Sequence, residues 1–176
     1  VCDVLTRREA KARETTTRAH DAWVKRLGPA AAGWELLEPG ESLSYPAWRA
    51  SSADLAVLPR PEPGDHDAIA LAESMILTSG APCLLAPPSA HAGVFNHVLV
   101  AWNASRQSKR ALDDSLALLK HAPTVEILAL GDLPGWSEDR PGQGLIDHLG
   151  RHGVQASFRQ ARKDGSTSAA ILERCQ

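Results

Sequence analysis

The clearest fold signal in the chain lies at residues 97–119, which read HVLVAWNASRQSKRALDDSLALL. Residues 97–102 form a short apolar run, which is typical of a buried strand. A polar turn follows, in which Ser105 is placed to cap a helix. The leucines of that helix recur at helical spacing and predict its buried stripe, Leu112, Leu116 and Leu119. The stretch therefore predicts a strand, a tight turn and an amphipathic helix.

The same alternation extends in both directions from this unit. Short apolar runs predict further strands at 54–58, 83–86, 124–130 and 154–160, with a weaker candidate at 34–37. The run at 54–58 fits a strand buried on both faces, which is the pattern of a parallel sheet. Helices are predicted between the strands, and a charge-rich helix at 6–27 precedes them. The alternation implies an α/β fold, a doubly wound, Rossmann-like parallel sheet with helices on both faces.

The helix after the 54–58 strand has clear end signals. Asp65 is placed to cap its first turn, and Gly80 follows its end, where a positive φ is needed. Its spacing predicts an inner face made of Ile69, Ala72, Ile76 and Ser79. Similar signals mark the last helix, which we expect to begin after residues 164–167.

The composition excludes several classes of protein. The chain has 176 residues, 43% of them hydrophobic and 23% charged, with a formal net charge of −2. These values are close to those of an average globular protein, and no basic cluster suggests a nucleic-acid partner. The three cysteines are far apart in the sequence, which predicts reduced thiols rather than a disulfide framework. We therefore expect a cytoplasmic protein with no nucleic-acid or membrane partner.

Two stretches of the chain together resemble the universal stress protein family. Residues 53–58 and 79–87 are similar to that family's fourth and fifth strands, and residues 97–105 with Arg110, Ala111 and Leu112 are similar to its first strand and helix. The resemblance is strongest over 53–130 and implies a fold like that of the adenine nucleotide alpha hydrolases. The order of the stretches is similar to that of tandem members, which carry two such domains in one chain.

This resemblance implies a division of the chain. Residues 1–88 would be the C-terminal part of a first domain, 89–96 a linker, and 97–176 the N-terminal part of a second domain. The first residue is Val rather than Met, and we expect that sequence is missing at both ends. As an alternative, the strands could join in one hybrid, circularly permuted sheet. A parallel crossover without a helix is uncommon, which favours two separate parts.

Family members that bind ATP resemble one another in an Asp after the first strand and a glycine-rich stretch after the fourth. Here Asn103 takes the place of that Asp, and residues 59–65 contain three prolines and two acids. Prolines lack the backbone N–H groups that hold a phosphate. The resemblance implies adenosine contacts at Ala101, Trp102, Asn103 and Leu130. The residues equally fit a turn at Asn103 and core packing of Trp102. We expect no cofactor, with ATP as the alternative ligand.

The sequence favours a binding protein over an enzyme. It contains no Gly-x-Ser-x-Gly elbow, and His148 and His152, which share a helix face, lack a further metal ligand nearby in the sequence. We expect a non-enzymatic protein of the stress response that binds a small ligand or a protein. Its expected assembly is a homodimer, or a pseudo-dimer within one chain, through edge strands such as 83–86. The alternative is a nucleotide-handling enzyme with its site at the carboxyl edge of the second-domain strands.

The predicted linker can be tested by limited proteolysis. Small residues and a glycine at 89–96 predict a flexible join, so a protease should cut there before it cuts the strand at 97–102. The fragments would be identified by mass spectrometry. Equal protection of both segments would contradict a two-part chain and favour the permuted sheet.

Overall fold

A computed structural model of the chain describes residues 2–28, 35, 42, 44–87, 95–131, 133, 142–162 and 165–175. The chain divides into two compact units, residues 1–42 and 43–176. The first unit contains α1 (Cys2–Leu27), which confirms the predicted helix at 6–27. The strand predicted at 34–37 lies outside the described residues, apart from Glu35. No described helix has the length and apolar character needed to span a membrane.

In the second unit the helices and strands alternate as the sequence predicts. Their bounds are α2 (Ser44–Ala50), β1 (Ala56–Pro59), α3 (His66–Thr78), β2 (Cys83–Ala86), β3 (His97–Trp102), α4 (Arg106–Leu119), β4 (Thr124–Leu130), α5 (Gln143–Arg151), β5 (Ala156–Ala161) and α6 (Thr167–Arg174). The predicted end signals of α3 and α4 are confirmed as well, whereas Ser166 precedes α6 without a side-chain cap hydrogen bond. The Asp65 carboxylate accepts from the amide of Ala68 at 3.0 Å, the Ser105 hydroxyl accepts from that of Ser108 at 3.1 Å, and Gly80 has a φ of 73°.

The described strands form two sheets, and every pairing is parallel. The smaller sheet has the order β1-β2 and the larger has the order β3-β4-β5. The predicted parallel α/β fold is therefore confirmed. The hybrid alternative, with all the strands in one sheet, is not formed by the described strands of one chain. The predicted linker at 89–96 lies outside the described residues, apart from Phe95 and Asn96.

The larger sheet carries the main apolar core on one of its faces. Ile127 at the centre of β4 is fully buried, and it belongs to a cluster with Leu112 and Leu119 of α4 and Leu149 of α5. Leu116 packs against the same cluster, so the predicted leucine stripe of α4 is confirmed. Both α4 and α5 therefore cover this one face of the sheet.

On the opposite face of the larger sheet, α6 forms an ion pair with the buried Glu126. Glu126 follows Val125 and precedes Ile127, so its side chain points away from the α4 and α5 core. Its carboxylate is 7% exposed and accepts from Arg174 of α6 at 2.8 Å (Nε to Oε1) and 2.6 Å (Nη2 to Oε2). Arg159 of β5 lies 3.5 Å away. Helices therefore lie on both faces, which confirms the doubly wound arrangement.

The smaller sheet differs from the prediction because helices cover only one of its faces. Ala56 packs in a cluster with α2 and with Met75 of α3, whereas the neighbouring Val57 is 61% exposed. The prediction that this strand is buried on both faces is therefore wrong. The predicted inner face of α3 is confirmed at Ala72 and Ser79, which are buried, but it is wrong at Ile76, which is 53% exposed while Met75 beside it is buried. A single layer contacts only a narrow stripe of the helix, and Ile76 lies about 100° around the axis from Met75.

The Glu126 ion pair predicts a pH dependence of stability. The hydrogen bonds from Arg174 hold the pKa of Glu126 below its ordinary value of 4.5, although burial opposes this shift. A lowered folded-state pKa stabilises the fold above the unfolded value, and this contribution disappears as the pH falls through the folded value. Between neutral pH and values below 4.5, the wild type should lose more unfolding free energy than Glu126→Gln.

Urea denaturation at a series of pH values measures this difference. Glu73→Gln, which changes an exposed carboxylate on α3, is the matched control and should follow the wild-type pH profile. A Glu126→Gln profile parallel to that of the wild type would show that this carboxylate does not carry the stabilisation.

Candidate ligand site at the carboxyl edge of the larger sheet

The predicted site residues meet at one edge of the larger sheet. Parallel strands end on the same side, so the carboxyl ends of β3 and β4 bring Trp102 and Leu130 to that edge. Trp102 pairs with Ala129, so Leu130 lies one residue further along β4. Asn103 follows β3 directly. The structure thus brings together the four residues that the sequence selected, Ala101, Trp102, Asn103 and Leu130.

Their side chains do not all share one surface. Trp102 is 8% exposed and belongs to the core under α4 and α5, as expected for packing at the end of a strand. Ala101 pairs with Leu128, and both alternate away from that core, as does Leu130. Ala101 is exposed and Leu130 is half-buried. An apolar contact at this edge therefore involves Ala101 and Leu130, with Trp102 beneath the other face.

Asn103 has a structural role in the turn that follows β3. Its Oδ1 accepts from the amide of Ser105 at 3.1 Å, and the Ser105 hydroxyl in turn caps α4. Ala104 between them has a φ of 58°, in the left-handed region. The turn interpretation of Asn103 is therefore observed. The Nδ2 group of an Asn in such a turn still has two hydrogens that can be donated to a ligand.

The turn after β4 is held by a residue that sequence reasoning missed. Gln160 at the end of β5 donates from Nε2 to the carbonyl oxygen of Gly131 at 2.9 Å. The amide of Gly131 donates to Ala161 at 2.9 Å, and its φ is 80°. A glycine directly after a strand was the available sequence signal, but the pairing of β4 with β5 was needed to place Gln160 beside it. The carboxyl ends of β4 and β5 are thus tied together at this edge.

The candidate residues lie at the side of the sheet where ligands of such folds bind. Right-handed crossovers through α4 and α5 place β3, β4 and β5 in sequence across the sheet, with both helices on one face. Ligands of open α/β sheets bind in the crevice outside the carboxyl ends of the strands. The turn after β3 is at the carboxyl end of an outer strand of the described sheet.

The loop after β1 does not fit a bound phosphate. Residues 59–66 are all described, and three of them are prolines without an N–H group. Three further amides already donate to carbonyl oxygens, those of Arg60, Asp65 and His66. Glu62 and Gly64 are the amides left, and the loop carries two carboxylates, which would repel an anion. The cradle of amides that a phosphate needs is therefore not built here.

A polar cluster outside this edge joins α4 to α5. His148 Nε2 lies 3.3 Å from Asp113 Oδ1, and the rings of His148 and His152 are 4.8 Å apart. The hydrogen bond from Lys109 lowers the pKa of Asp113. Asp147 is engaged elsewhere, accepting from Gln143 at 2.8 Å. Among the described residues, no three or more metal-ligating side chains come together in a metal site.

The chain was compared with known families, curated proteins and solved structures. No family model matches it, and no curated protein matches it. Among solved structures, it is similar to a crystal structure of a protein from the universal stress protein family from Burkholderia pseudomallei. The identity is 24%, over 48% of this chain and 75% of that one, with a TM-score of 0.35. The residues of the chain itself therefore carry the functional proposal.

The left-handed backbone of Ala104 predicts a stabilising substitution in the turn. The left-handed conformation destabilises an L-residue in the folded state by roughly 1–2 kcal/mol. Glycine removes this strain, but its greater freedom in the unfolded state lowers stability by about 0.5–1 kcal/mol. Ala104→Gly should therefore raise the free energy of unfolding by about 0.5–1 kcal/mol. The matched control is Ala111→Gly on the exposed side of α4, which should lower it by about 1 kcal/mol. Equal destabilisation by both changes would contradict the turn geometry.

Proposed function

We propose that this chain is a universal-stress-type protein that acts in a stress response by binding a small ligand or a protein, without catalysis. The resemblance of residues 53–58, 79–87 and 97–105 to that family supports the proposal. The observed parallel strands at these three places, each with a helix beside it, agree with it.

The observation that carries the proposal is the turn at the carboxyl end of β3. It lies at the carboxyl ends of the parallel strands, where open α/β sheets bind their ligands, and its side chains combine a polar group with apolar neighbours. Asn103 supplies amide donors, while Ala101 and Leu130 supply an apolar surface on one side of the sheet. This combination suits a small, planar ligand with hydrogen-bond acceptors on its rim, such as a nucleobase.

ATP does not fit the described residues as a strong ligand. In the loop after β1, two backbone amides are not already bonded within the chain and could donate to a phosphate. The loop also carries two carboxylates, which are negatively charged like the phosphate. A phosphate therefore gains little there, and binding would rest on contacts to the adenosine end alone. Charge-assisted hydrogen bonds contribute roughly 1.5–3 kcal/mol each, so the loss of two or three costs several decades of affinity.

The absence of catalysis is part of the proposal and is supported by the location of the polar groups. The cluster that includes Asp113 and His148 lies in the helix layer, on α4 and α5, rather than at the carboxyl ends of the strands. Its carboxylate already binds Lys109. Cys83 and Cys175 are free thiols. Free thiols are usual in a reducing compartment, which supports the proposed cytoplasmic location.

Calorimetry with Mg-ATP and with adenosine tests this proposal. We expect Mg-ATP to bind no more tightly than about 100 μM, because the phosphate contacts are missing. Adenosine should bind with a similar affinity, and Asn103→Ala should weaken both. The matched control is Asn96→Ala, at the amino end of β3, which should leave both affinities unchanged.

Low-micromolar binding of Mg-ATP that Asn103→Ala abolishes would contradict weak ATP binding and establish a nucleotide site. Phosphate release from bound ATP, measured in the same samples, would contradict the non-enzymatic proposal. If Asn103→Ala left the affinities for Mg-ATP and adenosine unchanged, the ligand site would lie elsewhere.

A further inference from the structure

Two histidines at the C-terminal end of α5 have no part in the proposed ligand site. His148 lies in the last turn of α5, and His152, four positions later, is its C-cap residue. Residues with this spacing are neighbours on one side of a helix. The two rings are 4.8 Å apart, centroid to centroid, with an angle of 62° between their planes. Helical histidines four residues apart are a known arrangement for holding zinc.

The distance between the two rings suits a shared metal ion. A metal–nitrogen bond of about 2.0–2.1 Å puts each ring centroid roughly 3.2 Å from the ion. At coordination angles of about 90–110°, two such centroids lie roughly 4.5–5.2 Å apart. The observed separation of 4.8 Å falls within this range. One ion can therefore contact both rings without a change in the distance between them.

Asp113 of α4 holds the ring of His148 from the other side. Its Oδ1 atom lies 3.3 Å from Nε2 of His148, and its carboxylate is also paired with Lys109. An ionised carboxylate can only accept a hydrogen bond, so Nε2 is the donor and the lone pair of the neutral ring is on Nδ1. A carboxylate in this position fixes the tautomer and the orientation of a metal-binding histidine.

The charges around the pair leave Asp113 as a hydrogen-bond partner rather than a third ligand. Lys109 donates to both of its carboxylate oxygens. This agrees with the lack of a three-ligand metal site among the described residues. The carbonyl groups at a helix C-terminus carry a partial negative charge, which favours a cation at the end of α5. Arg151 opposes this effect, but its side chain is exposed and its charge is screened by solvent.

We propose that His148 and His152 bind one divalent transition-metal ion, with Asp113 holding His148 in position and water filling the remaining coordination positions. Imidazole nitrogens suit Zn²⁺, Cu²⁺ and Ni²⁺, whereas Mg²⁺ and Ca²⁺ prefer oxygen ligands. The sequence showed the histidine pair, but Asp113 is 35 residues away from His148 and needed the packing of α4 beside α5 to be found.

This metal site is separate from the candidate ligand site at Asn103. The helix α5 runs back from the carboxyl end of β4 to the start of β5, which is parallel to β4. Its C-terminal end therefore lies toward the amino ends of the strands, at the opposite end of the sheet from Asn103. Because the pair comes together only when α5 is helical, the ion binds the folded chain and stabilises it.

Isothermal titration calorimetry of the full chain with ZnCl₂ tests the site. We expect one Zn²⁺ ion per chain to depend on the histidine pair. The changes His148→Ala and His152→Ala should each weaken its binding by at least about tenfold. The matched control is His121→Ala, which changes an exposed histidine after α4 and should leave the affinity unchanged. MgCl₂ should produce no binding signal.

Two changes at Asp113 separate positioning of the histidine from a general electrostatic effect. Asp113→Ala removes the acceptor for His148 and should weaken Zn²⁺ binding by roughly tenfold. Asp113→Asn keeps an acceptor oxygen and should restore most of that affinity. Both variants lose the charge that pairs with Lys109. Equal weakening in both would therefore overturn the positioning role of Asp113.

Paramagnetic Ni²⁺ locates the ion in the wild type by NMR. The amide signals of residues 145–153 should broaden first, ahead of those around the free thiols of Cys83 and Cys175. Broadening centred on either thiol, or Zn²⁺ binding weaker than about 1 mM, would overturn the proposal. Unchanged affinity in both histidine variants would mean an adventitious ion only and would overturn it as well.

Discussion

The pairing of Glu126 with Arg174 determines how the larger sheet is organised. A carboxylate buried in the middle of a strand is costly unless it is paired, and the two hydrogen bonds from α6 pair it. The same contact holds α6 on the face opposite α4 and α5. One polar interaction thus connects the helix layer on this face to the central strand of the sheet.

The candidate site depends on how β3 and β4 end. Asn103 and Ser105 form the turn at the carboxyl end of β3. Gln160 and Gly131 hold the turn after β4. Because parallel strands end on the same side, these two turns lie at one edge of the sheet.

The sequence was sufficient for those features that depend on local pattern. The strands of the second unit, the caps at Asp65 and Ser105 and the leucine stripe of α4 were predicted correctly, because neighbouring residues determine them. It was insufficient where burial depends on what lies across the sheet. Val57 looks like a core residue by its neighbours, but only one face of its sheet is covered. The role of Gln160 was not predicted, because its hydrogen-bond partner, Gly131, is distant in the sequence.

The central claim is that a small, uncharged ligand binds at the carboxyl end of β3. An NMR titration of the isotope-labelled protein with adenosine measures this directly, because it detects even weak binding residue by residue. The account predicts shifts of the amide signals at residues 101–105 and 130–131, with inorganic triphosphate producing none at residues 59–66. Adenosine shifts confined to other parts of the chain, or triphosphate shifts in the 59–66 loop, would contradict it.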